Sequence, residues 1–163
     1  MESSLEKHFA ASGFVINREN TKMLMVYHKK LNTWVIPGGH LEPNEYPADG
    51  ALREIFEETG IKATVIDSSE SSFEGNEKES KIATPYVMLS EFIPEKNDKP
   101  AHIHMDFVYL CIADETTPVK REAEVSNVKW MTFEEVLKTD TFESIKEFAR
   151  KRVGEKCENS DLS

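Results

Sequence analysis

The chain is short of cysteine, of long apolar runs, of basic charge and of glycine, and each shortage excludes something. Cys111 and Cys157 are its two cysteines. Two cannot make the disulfide framework of a small secreted domain; one falls in a strand pattern and the other near the C-terminus. A reducing, cytoplasmic setting is expected. Residues 1–7 are polar, with no apolar core of a secretory leader, and no segment approaches the roughly 20 apolar residues that span a bilayer. No membrane partner is expected. Lysine and arginine number 20 against 30 acidic residues, a formal net charge of −10. That surface repels polyanions, which excludes broad duplex nucleic-acid binding through phosphate neutralisation. It leaves room for a single nucleotide whose charge is screened by metal. No repeat is present, and 163 residues fit one domain, spanning 1–163.

Glycine is also scarce, seven in all, and three of the seven bracket one stretch. Gly38 and Gly39 open it and Gly60 closes it. Between them Pro47 suits a first helical position, where its missing N–H costs nothing. Gly60 suits the left-handed residue that ends a helix. Ala48, Ala51, Leu52, Ile55 and Thr59 recur at three- and four-residue steps as a buried stripe. Glu54, Glu57 and Glu58 stand at i, i+3 and i+4 and share the neighbouring face. Like charges there destabilise a helix by a few tenths of a kcal/mol per pair, on the order given by peptide helices. A divalent cation offsets that, and Mg²⁺ prefers such oxygen ligands, with Mn²⁺ as a substitute. Paired glycines can take positive φ and approach a ligand closely, and a helix N-terminus favours phosphate. Trp34, Gly38 and Gly39 are therefore expected to border the substrate.

Gly39, Glu45, Arg53, Glu54, Ile55, Glu57, Glu58, Gly60 and Ile61 have the spacing G-x5-E-x7-R-E-U-x-E-E-x-G-U, U being a bulky aliphatic. Seven fixed positions coincide by chance at a given start with a probability on the order of 10⁻⁹ to 10⁻⁸. In this the chain resembles the Nudix hydrolases, of MutT-like type. The resemblance implies an α/β fold, a mixed β-sheet sandwiched between α-helices. It implies hydrolysis of the pyrophosphate bond of a nucleoside diphosphate linked to another moiety. Glu57 and Glu58 are expected to hold the metal, with Glu54 as ligand or as base for water, and the Gly39 carbonyl as a further ligand. Arg53, whose planar fork holds carboxylates bidentately, is expected to orient Glu45 or Glu54. The family often recruits a base from outside the box. Glu124 is the candidate here, with Glu122 behind it.

Strands are expected over 7–17, 22–28, 62–66, 84–93, 101–113 and 128–131. Thr132 and Glu135 form a capping-box pattern before a short helix, 133–137, and a second amphipathic helix covers 141–153. Residues 1–5 and 155–163 are expected to fray. On the sixth strand segment's predecessor, 101–113, alternation puts His102, His104 and Asp106 on one face. Three readings fit them: lining the substrate cleft, structural hydrogen bonding, or a second metal site, although imidazole suits zinc-like ions better than Mg²⁺. His40 is expected to be an incidental loop residue, with a contact to substrate as the alternative. Trp34, Phe73, Tyr86 and Phe107 are the aromatics considered for base stacking.

The expected substrate is a small nucleotide, with nucleoside triphosphates, standard or modified, ahead of nucleotide sugars and dinucleoside polyphosphates. RNA 5′ ends fit the acidic surface poorly. A reading from another class is a nucleotide sensor that binds without hydrolysis. The intact box argues against it. A homodimer is compatible with everything above.

Overall fold

A computed structural model describes residues 4–160; residues 1–3 and 161–163 and the side chains of Cys157, Asn159 and Ser160 lie outside that set. Its strands are β1 (Glu6–Asn17), β2 (Lys22–His28), β3 (Thr33–Val35), β4 (Gly38–His40), β5 (Ala63–Ile66), β6 (Val87–Ile93), β7 (His102–Ala113) and β8 (Val125–Thr132). Its helices are α1 (Pro47–Thr59), α2 (Phe133–Leu137) and α3 (Glu143–Ser160). The sheet is mixed. β1 lies parallel to β7 along its whole length, and the other pairings are antiparallel. The main strand order is β3-β2-β1-β7-β5, with β4 added to β1, β6 to β7 and β8 to β2. β1 meets β2 only at Ile16 and Met23.

Alternation along β1 divides the core between two layers. Gly13 faces Ile55 of α1. Its neighbour Phe14 faces the other way and stacks on Phe148 of α3, with centroids 4.2 Å apart and rings nearly parallel. The sheet is thus sandwiched between α1 and α3. Phe14, Phe133 and Phe148 are all buried, and each such side chain stabilises the fold by about 1.5–3 kcal/mol. Among the described residues, no helix is long and apolar enough to cross a membrane.

α1 starts at Pro47 and ends where Gly60 turns left-handed, φ 71°, its N–H donating to the Phe56 carbonyl at 2.8 Å. The expected stripe is modified. Ala51, Ile55 and Thr59 are buried, as are Gly50 and Glu58, while Ala48 and Leu52 are only half-buried. α2 has its capping box. The Glu135 N–H donates to the Thr132 hydroxyl at 3.1 Å, and the Thr132 N–H donates to the Glu135 carboxylate at 2.8 Å.

Several expectations are corrected. β3 and β4 are three residues each, too short for periodicity to register. β8 begins at Val125, three residues before the expected start, because cross-strand pairing with β2 extends it through a polar stretch. α3 continues to Ser160 through residues expected to fray.

Candidate active site

Gly38 and Gly39 do not form a loop at a helix N-terminus. They lie in β4, paired with Ser12 and Ala11 of β1, and neither has positive φ. What glycine supplies there is room. A Cβ on Gly39 would sit 2.7 Å from the Glu54 carboxyl carbon, and one on Gly38 would sit 2.2 Å from the Ser12 hydroxyl oxygen. β4 therefore lies directly against the second half of α1, where the three glutamates stand.

Arg53 organises those glutamates. Its guanidinium has five N–H donors in a fixed plane, and all five are used. Nε and one terminal nitrogen donate to the two oxygens of Glu45, at 3.1 and 2.7 Å. That nitrogen also donates to the His40 carbonyl at 3.1 Å. The other terminal nitrogen bridges Glu54 at 2.8 Å and Glu57 at 3.0 Å. Expected to orient Glu45 or Glu54, Arg53 thus contacts both and Glu57 as well. Its pKa is raised, mainly by the hydrogen bond to Glu45. The same bond holds Glu45 below the usual carboxylate range.

Glu58 has no share in Arg53. It is 6% exposed and accepts a hydrogen bond from the Gly38 N–H at 3.3 Å. Burial, then repulsion from Glu54, pushes its pKa up to about 8. Burial also raises Glu54, against the pull of Arg53. Three carboxylates with one cation between them, one carboxylate buried, form a donor set suited to a hard divalent ion.

These residues line one side of a cleft of about 420 Å³. His102, His104 and Asp106 line another part of it, as do Glu122 and Glu124. Glu124 forms an ion pair with Lys30 and lies 3.7 Å from His28 Nε2. The hydrogen bond from Lys30 lowers its pKa. Glu122 acts electrostatically on both Glu54 and Glu58, Glu124 on Glu58 alone.

The His-x-His-x-Asp face divides. Asp106 accepts a hydrogen bond from the buried Ser12 hydroxyl at 2.6 Å. The two histidines join His8 of β1 and His40 of β4 instead. Nε2 of His104 lies 3.2 Å from Nε2 of His102 and 3.1 Å from Nε2 of His40. Nε2 of His40 lies 3.2 Å from Nδ1 of His8. His8 and His102 stack at 4.4 Å. Burial and the neighbouring rings lower His104 to about 4 and lower His40 as well. His40 is accordingly a strand residue in a cluster, not an isolated loop residue.

Trp34 is outside the cleft. Its neighbours Thr33 and Val35 are buried, so alternation turns the indole away, edge-on to Tyr27 at 5.5 Å and under Lys129. Tyr86 packs on Phe14 and Phe148, Phe107 on Phe9, and Phe73 is in an exposed loop. None of the four aromatics considered for base stacking lines the cleft; Phe14 and Phe142 do, and Phe142, just before α3, is 48% exposed. Ser12, Glu91, Lys96 and Lys99 also line the cleft and were not expected there. The two lysines flank the turn between β6 and β7, whose charged composition signalled a turn and nothing about where it points.

Residues 6–151 match the family model described as the NUDIX domain. Diphosphoinositol polyphosphate phosphohydrolase 3-beta of Bos taurus is 31% identical over 94 residues, 57% of this chain and 57% of that protein. A probable DHNTP pyrophosphohydrolase of Lactococcus lactis is 30% identical over 125 residues, 77% of this chain and 63% of that protein. Each alignment spans less than two thirds of the relative's length. Among solved structures, a NUDIX-family hydrolase from Clostridium perfringens superposes with TM-score 0.72 at 25% identity, covering 92% of this chain and 98% of that one.

Proposed function

The chain belongs to the NUDIX domain family, and from that premise we propose that it is a divalent-metal-dependent pyrophosphohydrolase acting on a small nucleotide. The observation that carries this is the carboxylate cluster of α1. Glu54, Glu57 and buried Glu58 face Gly39 in the cleft, with Arg53 as the cation among them.

Glu57 and Glu58 would hold Mg²⁺, or Mn²⁺ as a substitute, and the Gly39 carbonyl would be a further ligand. When bound, the ion neutralises charge developing on the pyrophosphate and lowers the pKa of water. Glu54, tethered by Arg53, takes the proton of the attacking water. Glu124 is engaged by Lys30 and serves less well as that base. Lys30, Lys96 and Lys99 line the opposite part of the cleft and receive the remaining phosphates. Phe142 offers an exposed ring for a base. Arg53 keeps Glu45, Glu54 and Glu57 in one arrangement, so little reorganisation is needed at the moment of reaction. His102, His104 and Asp106 border the substrate from β7.

Nucleoside triphosphates, standard or modified, are placed ahead of nucleotide sugars and dinucleoside polyphosphates. Triphosphate length matches a compact cleft with carboxylates on one side and lysines on the other. The test is kcat/KM over a matched panel of NTPs, oxidised dNTPs, ADP-ribose and diadenosine polyphosphates, with Mg²⁺ and with Mn²⁺. A triphosphate should lead. A tenfold advantage for ADP-ribose or a dinucleoside polyphosphate, about 1.4 kcal/mol of transition-state preference, overturns the ordering. Tight binding without turnover of any member overturns the enzyme reading in favour of a sensor.

A further inference from the structure

We propose that His8, His40, His102 and His104 form a second metal site, one for a zinc-class ion, beside the cleft and separate from the glutamates of α1. The site is built across three strands. His8 and His104 are direct partners in the parallel pairing of β1 with β7, and His40 sits opposite Ala10 on the other edge of β1. The ligand nitrogens of His8, His40 and His102 all lie within 4.8 Å of one another. His104 is not in that mutually close set, but its Nε2 lies 3.2 Å from that of His102 and 3.1 Å from that of His40, where it can serve as the fourth ligand.

With all four rings neutral, hydrogen bonding does not account for this cluster. Nδ1 of His102 faces the Pro100 carbonyl at 3.0 Å, so it carries the proton and leaves Nε2 a bare lone pair. Nε2 of His8 faces the Glu6 carboxylate at 3.2 Å, which leaves Nδ1 of neutral His8 bare as well. The bare ends then need Nε2 of His40 and Nε2 of His104 both protonated. Those two nitrogens lie 3.1 Å apart and would set N–H against N–H. An added proton on Nδ1 of His8 or Nε2 of His102 removes the conflict, but it sets an imidazolium against the other three rings. Each ring nitrogen has one in-plane position, a proton or a lone pair, and Nε2 of His40 and of His104 each face two neighbours.

A cation that accepts four lone pairs satisfies every nitrogen at once. Zinc–imidazole bonds of 2.0–2.1 Å in a tetrahedron place neighbouring nitrogens about 3.3–3.4 Å apart. Three of the six edges of such a tetrahedron are present at 3.1–3.2 Å, and the ligand atoms of His8, His40 and His102 lie within 4.8 Å of one another. The outer partners of His8 and His102, a carboxylate and a backbone carbonyl, are those that orient metal-bound imidazoles. Nitrogen ligands also select against Mg²⁺, so the two sites sort their ions by chemistry.

The test is titration of metal-free full-length protein with Zn²⁺ under saturating Mg²⁺, read by competition with a chromophoric chelator. One Zn²⁺ per chain should bind. His8→Gln and His104→Gln should each weaken it at least tenfold, while Glu57→Gln leaves it unchanged. Wild-type protein loaded with Co²⁺ should show the intense visible absorption of a tetrahedral ion, a readout independent of whether the variants fold. Zn²⁺ displaced by Mg²⁺ or lost in Glu57→Gln, wild-type affinity in both histidine variants, or a weak octahedral Co²⁺ spectrum each overturns the proposal. None of these depends on hydrolysis, so failure of the panel assay leaves this result readable.

Discussion

Gly39 and His40 are neighbours on β4, yet they belong to two different clusters in one cleft. Gly39 lies against Glu54; His40 lies in the ring cluster. The first end is built of oxygens from one helix, held by a single guanidinium. The second is built of nitrogens from three strands and held by sheet register. A helix brings i, i+3 and i+4 together wherever it forms, so the first end is local and robust. The second exists only once β1, β4 and β7 have paired. Hard and borderline ligands a few residues apart give one cleft two separate preferences for ions.

The largest expected effect breaks the first end alone. Glu57→Gln and Glu58→Gln keep shape and remove charge. Each should lower kcat by roughly 10²-fold or more, the scale of losing one preorganised electrostatic group. Steady-state rates on the best panel substrate, with and without EDTA, check this. Near-wild-type turnover by Glu57→Gln, or full turnover in EDTA, would show that the carboxylates are not the catalytic end.

A smaller effect is expected when the charge stays and the fork goes. Lysine has three donors on a flexible stem and cannot replace five coplanar ones. Arg53→Lys should lower kcat roughly tenfold, the lower end of the range for groups that orient ligands, with a smaller change in Mg²⁺ affinity. Measuring both separates orientation from binding. If Mg²⁺ affinity falls further than kcat, Arg53 is holding the ion's ligands in place rather than aligning the reaction. Either way the histidine end, reached by Arg53 only through the His40 carbonyl, should keep its affinity for Zn²⁺.

The same contrast explains what the sequence made legible. The box helix, its proline start, its glycine stop and the shared face of its glutamates all follow from spacing along one element. So does the capping box at Thr132, and most strands appear as apolar runs. The histidine end is legible only in part: strand alternation offers His102 and His104, with Asp106, as a possible metal site, but His8, 94 residues from His102, joins them only through register. Trp34 was misplaced for a related reason: a three-residue strand sets which way an indole points, and three residues carry no readable period. Lys96 and Lys99 show the limit from another side. Their turn is readable from composition, but its lean over the cleft depends on how β6 and β7 twist together.

Asp106 lies between the two ends, and it yields the smallest and most specific prediction. It is two residues from His104 but hydrogen-bonded to Ser12, which in turn crowds Gly38. It is 3% exposed, and among the described residues its Oδ1 has no hydrogen-bond partner. An ionised carboxylate there is incompletely compensated. Burial raises its pKa from the usual 3.8 to about 6. The folded state therefore holds the proton more tightly than the unfolded chain. Its contribution to stability is fully present below the unfolded value and is lost as pH rises through the folded one. Glu91, opposite His104 on β6 and raised to about 7 by burial and then by the charge of Asp106, acts in the same direction over a slightly higher window. Asn mimics the protonated form. Asp106→Asn should thus be nearly neutral at acid pH and stabilising above about pH 7, by on the order of 1 kcal/mol after relaxation of the site. Urea denaturation of both proteins across that range measures it. The wild-type stability should fall with rising pH through the window more steeply than that of the variant, and Zn²⁺ affinity should stay unchanged. Parallel pH profiles would mean the Asp106 charge is compensated after all. A loss of Zn²⁺ affinity would place Asp106 at the histidine end rather than between the two.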